Sequence, residues 1–208
     1  MKETFEVSKV AFKDAKVFVK SNHYSGSIAG AACYGLFDEM ILVGVCAFAA
    51  PVSENVRASI FGIEYKDRVM ELHRLVLIDD TPKNTESWFI SRALKAFKKD
   101  KPNIWAIVSF ADPRVNHKGI IYQATNALFT GSSNKARFFI DQNGKVKHQR
   151  YDGKNISTAE GIKRGWKSVM MEGKYRYLYL LPDDRKHLKE LKKMLLLQVL
   201  PYPKEKIA

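Results

Sequence analysis

Asp112 and Tyr122 are the two side chains whose chemistry and placement first suggest a site. A carboxylate can accept a proton and a phenol can donate one. Asp112 closes the stretch Trp-Ala-Ile-Val-Ser-Phe-Ala-Asp-Pro, and Tyr122 follows in Gly-Ile-Ile-Tyr-Gln-Ala. The two could converge on one pocket; equally, Asp112 could cap the helix start and Tyr122 could pack on a sheet with its hydroxyl satisfied. His23 and Tyr24 lie in a loop-forming run, Ser-Asn-His-Tyr-Ser-Gly-Ser. His23 suits a base or a metal ligand, or it and its aromatic neighbour could simply anchor that loop. Arg74 interrupts the apolar run Val69 to Ile78. A buried guanidinium needs a partner, either a structural carboxylate or an anion that it clamps.

These residues need a scaffold, and the hydrophobic patterning outlines one. Ile104 to Ala111 reads as a covered strand stopped by Pro113, so Asp112 falls at a strand's carboxyl end, where open α/β sheets bind ligands. A helix then carries Tyr122. At a hundred degrees per residue, Ile120, Ile121, Ala124 and Leu128 face the core, and Gly119, Tyr122 and Asn126 face another space, with Gly119 clearing room beside the tyrosine. Val69 to Ile78 is a second long strand. Alternation places Met70, Leu72, Arg74 and Val76 on one face and Glu71, His73, Leu75 and Leu77 on the other. After the loop Asp79 to Ser87, with Asn84 or Thr85 as N-cap, a helix from Trp88 to Lys99 offers its amino end to phosphate.

The remaining chain supplies an edge strand (Thr4 to Val10), a helix (Lys13 to Asn22) and a hairpin (Ala32 to Phe37 with Ile41 to Phe48, turning at Asp38-Glu39). Ser53 to Gly62 is irregular with room for one short helix. A second hairpin pairs Ala136 to Ile140 with Lys145 to Gln149. Arg150 to Gly173 is polar and basic, Tyr175 to Leu181 is a strand, and Asp183 to Leu200 is an amphipathic helix. Leu188, Leu191, Leu195 and Val199 line one side of that helix, and Lys186, Lys189, Lys192 and Lys193 the other.

The chain has 208 residues, 46% hydrophobic, which is enough for one sizeable core and excludes disorder. Its net charge of +13 points to a polyanionic partner, and nucleic acid fits that magnitude. Lys163, Arg164, Lys167, Lys174 and Arg176, interleaved with aromatics, are the candidate DNA-contacting residues. Cys33 and Cys46 form neither a disulfide framework nor a metal motif. No signal region or membrane-length apolar run is seen, so a cytoplasmic location is expected, with no membrane partner. One domain is expected over 1–208, with a basic C-terminal extension over about 150–208.

The order of elements resembles the GNAT acyltransferase fold: α/β (α+β), a mixed central sheet flanked by helices. More narrowly, His23-Tyr24-Ser25, Leu72-His73-Arg74-Leu75, Lys83-Asn84-Thr85-Glu86-Ser87, Ser109-Phe110-Ala111-Asp112, Gly119 to Ala124, Lys174-Tyr175-Arg176-Tyr177 and Pro201-Tyr202-Pro203-Lys204 resemble, in order, the phage Mom family. That resemblance implies a transferase that modifies the N6 amine of adenine in phage DNA with a carbamoylmethyl- or acyl-type group, protecting the DNA from host restriction. It places catalytic roles on His23, Tyr24, Arg74, Asp112 and Tyr122. The GNAT resemblance implies acetyl-CoA or another acyl-CoA held in a splay between two central strands, at Leu75, Val76, Asn84, Thr85, Ser87 and Asn126. The Mom resemblance also implies iron, with His23, Tyr24 and Asp112 as ligands, double-stranded DNA as partner, and room for a homodimer. Two rival readings are an ordinary acetyltransferase of a small amine or protein, and a non-catalytic DNA-binding module. The loop Asp79 to Ser87 departs from the GNAT pattern because it has no glycine.

Overall fold

The computed structural model describes residues 3–23, 26–30, 32–51, 53–115, 117–151 and 154–203. In chain order the elements are β1 (Phe5–Lys9), α1 (Phe12–Asn22), β2 (Ala32–Asp38), β3 (Ile41–Ala49), α2 (Glu54–Phe61) and β4 (Val69–Leu77). They continue with α3 (Thr85–Asp100), β5 (Ala106–Ala111), α4 (Ile120–Ala124), β6 (Leu128–Ser132), β7 (Ala136–Ile140) and β8 (Val146–His148). The last are β9 (Arg150–Tyr151), β10 (Lys154–Asn155), α5 (Thr158–Lys163), β11 (Lys167–Met171), β12 (Tyr175–Leu180) and α6 (Arg185–Met194).

A seven-stranded sheet, in the order β1-β2-β3-β4-β5-β12-β6, forms the body of the protein. One face carries α3, whose Phe89, Ile90, Ala93 and Phe97 are wholly buried against Tyr34, Phe48, Ile107 and Tyr177. Each of the large apolar side chains there contributes roughly 2–3 kcal/mol of transfer free energy. The opposite face is divided. Ala15 and Val19 of α1 cover Cys33, Val45, Ala47 and Val76. Farther along, Ile60 and Phe61 of α2 and Leu191 of α6 cover Val69, Ala106, Val108 and Leu178. The expected fold class is therefore observed: a mixed α/β sheet with helices on both faces.

The parallel pair β4/β5 determines the site. It is joined only through Val69↔Ala106, Met70↔Ile107 and Glu71↔Val108. Beyond those pairs β4 continues against β3, and β5 continues against β12. The sheet thus opens into a splay whose walls are Leu72 to Leu77 and Ser109 to Ala111, with Glu71 at its apex.

Four expectations are corrected. The alternation along β4 breaks at His73, because Ala47 pairs with Arg74 while the next residue, Phe48, pairs with Leu72. His73 is the extra residue of a β-bulge, which shifts the side-chain phase. Leu72 faces the α3 side, but so do Leu75 and Leu77, whereas Val76 faces α1. Helix α4 is one short turn, and Leu128 opens β6 instead of extending the helix. Its facing also differs: Ile121 packs on the core as expected, but Ile120 is 55% exposed and Ala124 is exposed, and Tyr122 packs on the core too. The terminal helix stops at Met194, and Val199 is 48% exposed. The basic stretch after Arg150, for which no element was expected, is folded. It contains α5 and β11, and β11 pairs with β7 in a small sheet of order β11-β7-β8. Chain-distant β12 then returns to the middle of the large sheet, between β5 and β6.

Candidate active site

Several of the predicted residues converge on the mouth of the splay. His23 ends α1, and its backbone N–H donates to Val19 O at 3.0 Å. The bulge brings His73 and Arg74 toward the same opening. The Arg74 guanidinium donates from Nε to Ser27 O (3.0 Å) and from Nη1 to His73 O (2.7 Å). The backbone N–H of Ala29 donates to His73 Nδ1 at 3.4 Å. The bulge therefore tethers the loop after His23, so that a local break in one strand organises the entrance. Tyr24 and Ser25 lie outside the described residues.

Positive charge shapes the titration of this mouth. Burial lowers the basicity of His23, and Arg74 and His117 lower it further. Burial likewise lowers that of His73, with Arg74, Lys174 and His23 acting in the same direction. Both imidazoles are thus biased toward the neutral form. Burial raises Glu71 above the ordinary carboxylate range, opposed by Lys174 and Arg74. Glu71 joins the cluster without having been assigned to it from sequence; His73 or His117 was expected there only as a further iron ligand, and Lys174 only as a DNA contact. Glu71 carried a signal, as a carboxylate inside an otherwise apolar strand.

Asp112 stands beside this cluster with a different partner from the one expected. Arg114, two residues on, grips it through Nε to Oδ1 (2.7 Å), through Nη2 to Oδ2 and through its backbone N–H to Oδ1 (3.1 Å). The bond from the Arg114 side chain, reinforced by its backbone bond and charge, holds the Asp112 carboxyl below its usual range against the opposing effect of burial. Arg74 spends its hydrogen bonds on backbone carbonyls, so Arg114 is the group that orients Asp112. An acid held so firmly ionised is a weak base and a good fixed negative charge.

Tyr122 belongs to the other face. Its ring lies 5.3 Å from that of Tyr177, and its hydroxyl end meets the buried Ser109 hydroxyl, which makes no regular hydrogen bond. Burial raises the phenol above its ordinary range, Cys46, Glu71 and Tyr177 add to the rise, and Ser109 opposes it. The group stays protonated and can act as an acid. Gly119 makes this arrangement sterically feasible. It has φ +74°, and a Cβ there would stand 2.4 Å from Tyr177 Cε2 and 3.0 Å from Tyr122 Cδ2. The Tyr177 hydroxyl is itself secured, donating to Lys118 O at 2.5 Å and accepting from Gln123 Nε2 at 3.1 Å.

The residues expected to hold a cofactor are spread along the splay and its outlet. Leu75 and Val76 lie on the part of β4 that has left β5. Asn84 precedes α3 in the left-handed conformation, φ 70°. Thr85 is fully buried and its hydroxyl donates to Pro82 O at 2.6 Å; the Ser87 hydroxyl donates to Asn84 O at 3.0 Å. Two of the three polar side chains there thus serve the turn, and the Thr85 N–H is also spent on Pro82 O (3.2 Å), so a ligand would meet the amino end at Glu86 and Ser87. Asn126 occupies the left-handed turn between α4 and β6, φ 60°, and is exposed. A cavity of about 410 Å³ lies between Ser21, Asn22 and His23 on one side and Leu77, Ile78 and Asp79 on the other.

Iron finds no assembled ligand set among the described residues, and Tyr24, one of its three expected ligands, lies outside them. Among the described residues no three His, Cys, Asp or Glu side chains gather as metal ligands, and the Asp112 carboxylate is occupied by Arg114. The basic residues also separate. Lys163, Lys167 and Lys174 are exposed, Arg164 pairs with Glu160 (Nε to Oε1, 3.2 Å), and Arg176 is half-buried, donating to Thr130 Oγ1 and O at 3.0 Å each. Arg176 therefore joins β12 to β6. Among the described residues no helix is long and apolar enough to cross a membrane.

Comparison with known proteins agrees with this architecture. The backbone is similar to a chain from Acinetobacter baylyi ADP1 described as an acetyltransferase, with TM-score 0.50 and 10% identity over 90% of this chain and 98% of that one. It is also similar to the ribosomal-protein-S5-alanine acetyltransferase from Vibrio fischeri, with TM-score 0.50 and 10% identity over 88% of this chain and 96% of that one. At such identities the likeness is one of fold. In sequence, the chain is 32% identical over 206 residues to the methylcarbamoylase Mom of Escherichia phage Mu, covering 91% of this chain and 80% of that protein. The model of the Mom protein family matches residues 4–204. The chain with the splayed sheet and the His23–Arg74–Asp112 mouth belongs to the Mom protein family.

Proposed function

We propose that this protein is a transferase that attaches a carbamoylmethyl- or acyl-type group to the N6 amine of adenine in double-stranded DNA, protecting that DNA from restriction. The observation that carries the reading is the splay at Glu71↔Val108, with proton acceptors on one side and a protonated phenol on the other. Family membership and the net charge of +13 support DNA as the acceptor.

The chemistry follows from the side chains. A base within a duplex is out of reach, so the adenine is flipped toward the mouth. Its N6 amine is a weak nucleophile, because the lone pair is delocalised into the ring. A neutral His23, with His73 or the weakly acidic Glu71 behind it, takes the N6 proton as the new N–C bond forms. The bond between the transferred carbon and the donor breaks, and Tyr122 protonates or hydrogen-bonds the departing group from the opposite side. Asp112, kept ionised by Arg114, steadies the positive charge that grows on the amine. Lys174 reaches the same mouth and would meet the phosphate beside the flipped base. Lys163 and Lys167 extend that contact along the small sheet.

An acyl-CoA fits the open edge of β4 at Leu75 and Val76, with its phosphates toward the α3 amino terminus at Asn84 and Ser87. When bound it would supply an activated acyl carbon and so the acyl-type product; the carbamoylmethyl product needs a donor that also carries the amide nitrogen and the methylene that bonds to N6. The exposed Asp79 and Asp80 at that outlet work against a diphosphate, so the α3 backbone amides would have to outweigh them.

Nucleoside mass spectrometry of plasmid DNA from cells expressing the chain tests the reading. A modified adenine is expected with the wild type, and its loss is expected in His23→Ala and Asp112→Ala variants that still fold and bind DNA. Only unmodified adenine from folded, abundant wild-type protein would refute it.

A further inference from the structure

The guanidinium of Arg114 touches two things. One is the Asp112 carboxylate, gripped by both its Nε and Nη2. The other is the ring of Phe138, with Cζ 4.1 Å from the ring centroid. Phe138 belongs to β7, the middle strand of the small sheet, and is 6% exposed. Its ring is braced edge-on by His148 of β8, at 5.1 Å and 90°. Phe138 also pairs in register with Val169 of β11. The next residue, Phe139, faces the other way, into Trp166 and the closely packed Gly161 of α5. The small sheet is thus packed on both faces, and one of its buried rings forms the floor on which Arg114 lies. Arg114 and Asp112 side chains retain only 24% and 21% exposure.

We infer that Arg114 is a positioning residue for Asp112, and that Phe138 locks it, so that the small sheet β11-β7-β8 aims the site carboxylate. The inference rests on the proposed role of Asp112 in DNA modification. Three features support it. A forked guanidinium that binds both carboxylate oxygens sets the plane of the carboxylate, which a point charge cannot do. A cation over an aromatic face has a preferred height and orientation, so the ring restrains the fork. And Arg114 sits in the short helical turn Pro113–Val115 directly after β5, where little else in the chain holds it. The basic residues Lys163 and Lys167 flank β11, so the sheet that would meet DNA is also the one that aligns the carboxylate.

Four variants separate this from a general packing role: Arg114→Lys keeps the charge without the fork, Asp112→Asn keeps the shape without the charge, Phe138→Leu keeps an apolar side chain without the ring face, and Phe138→Tyr keeps the face. Two readouts are needed, the fraction of plasmid adenine modified in cells and the Arg114 Nε–H signal in a proton–nitrogen spectrum of the full chain. The wild type is expected to show a protected, shifted Nε–H signal that disappears in Asp112→Asn and Phe138→Leu and persists in Phe138→Tyr. Modification is expected to fall about a hundredfold in Arg114→Lys, as for a displacement of roughly an ångström at a reacting group, and less steeply in Phe138→Leu. It should return in Phe138→Tyr, with melting temperature and duplex affinity of all variants near wild type. An Nε–H signal indifferent to Phe138→Leu, or an Arg114→Lys protein as active as wild type, would overturn the inference. If the wild type modified no adenine, the proposed function would fall, and the Nε–H signal would still decide whether Phe138 holds Arg114 on Asp112.

Discussion

Replacing Gly119 by alanine tests how tightly the two tyrosines of the site are packed. The residue has φ +74°, and its added methyl would stand 2.4 Å and 2.8 Å from Cε2 and Cζ of Tyr177 and 3.0 Å from Cδ2 of Tyr122. Two costs combine. Holding an alanine in the left-handed region costs about 1–2 kcal/mol. Displacing a ring from a filled core costs about 1–3 kcal/mol more. The Tyr177 ring has little freedom to yield, because its hydroxyl is held by Lys118 O and Gln123. The total of about 2–5 kcal/mol corresponds, at 2–4 °C per kcal/mol for a chain of this size, to a melting point lower by about 4–20 °C. Gly144 supplies the control. Its φ is +76° and nothing lies within 4 Å of its would-be Cβ, so Gly144→Ala carries only the backbone cost. Thermal melts of the two variants side by side isolate the steric part. If Gly119→Ala melts no lower than Gly144→Ala, the close packing of Tyr122 and Tyr177 around Gly119 is refuted.

Further outcomes follow from the site's electrostatics and hydrogen bonds. Because His23 and His73 are held below the ordinary imidazole value of about 6.5, the unfolded chain binds protons more readily than the folded one in that window. Stability therefore rises with pH up to about 6.5 and falls on acidification, and His73→Asn should show a smaller drop in melting temperature between about pH 7.5 and pH 5 than wild type. The raised Glu71 contributes with the opposite sign, so Glu71→Gln should steepen the acid loss. The double variant Lys163→Ala, Lys167→Ala should flatten the slope of log affinity against log salt for duplex DNA by up to about 1.8, at roughly 0.9 per phosphate contact. Arg176→Ala should leave that slope unchanged and cost about 1–3 kcal/mol through the lost bonds to Thr130. Ser109→Ala removes a buried hydroxyl without a regular bond, so denaturant midpoints should stay level or rise, while adenine modification falls as Tyr122 loses its polar neighbour.

Much of this architecture was legible in the chain. Apolar, β-branched runs marked β3, β4, β5 and β12, and proline and turn residues marked their ends, because these signals are local. Asp112 at a strand end, Gly119 beside Tyr122, and His23 next to a loop all occupy the positions that their neighbours suggested. What the pattern could not carry was non-local. The bulge at His73 becomes visible only when β4 is laid against β3, so the facing of Leu75 and Val76 was inverted. Arg114 is two residues from Asp112, a spacing that suggests a turn and conceals a clamp. The pairing of β11 with β7 joins segments separated by α5 and three short strands, so the stretch between them read only as polar and basic. Tyr122 was aimed outward because a long helix was assumed, and one turn of helix followed by a strand obeys no such wheel.

The bulge at His73 also means that β4 behaves as two half-strands spliced out of phase. Before it, even-numbered residues Met70 and Leu72 face α3; after it, odd-numbered Leu75 and Leu77 do. Removing that one residue would restore the regular ladder, with Arg74 still opposite Ala47 and Leu72 still opposite Phe48, so every remaining side chain would keep its present face. What would be lost is the reach of the extra residue, whose carbonyl accepts from Arg74 and whose ring accepts from the Ala29 N–H. Deletion of His73 should therefore preserve the sheet while releasing the loop after His23, read as faster hydrogen exchange at Ala29 in a protein that still folds, so the extra residue serves the mouth of the splay and not the core.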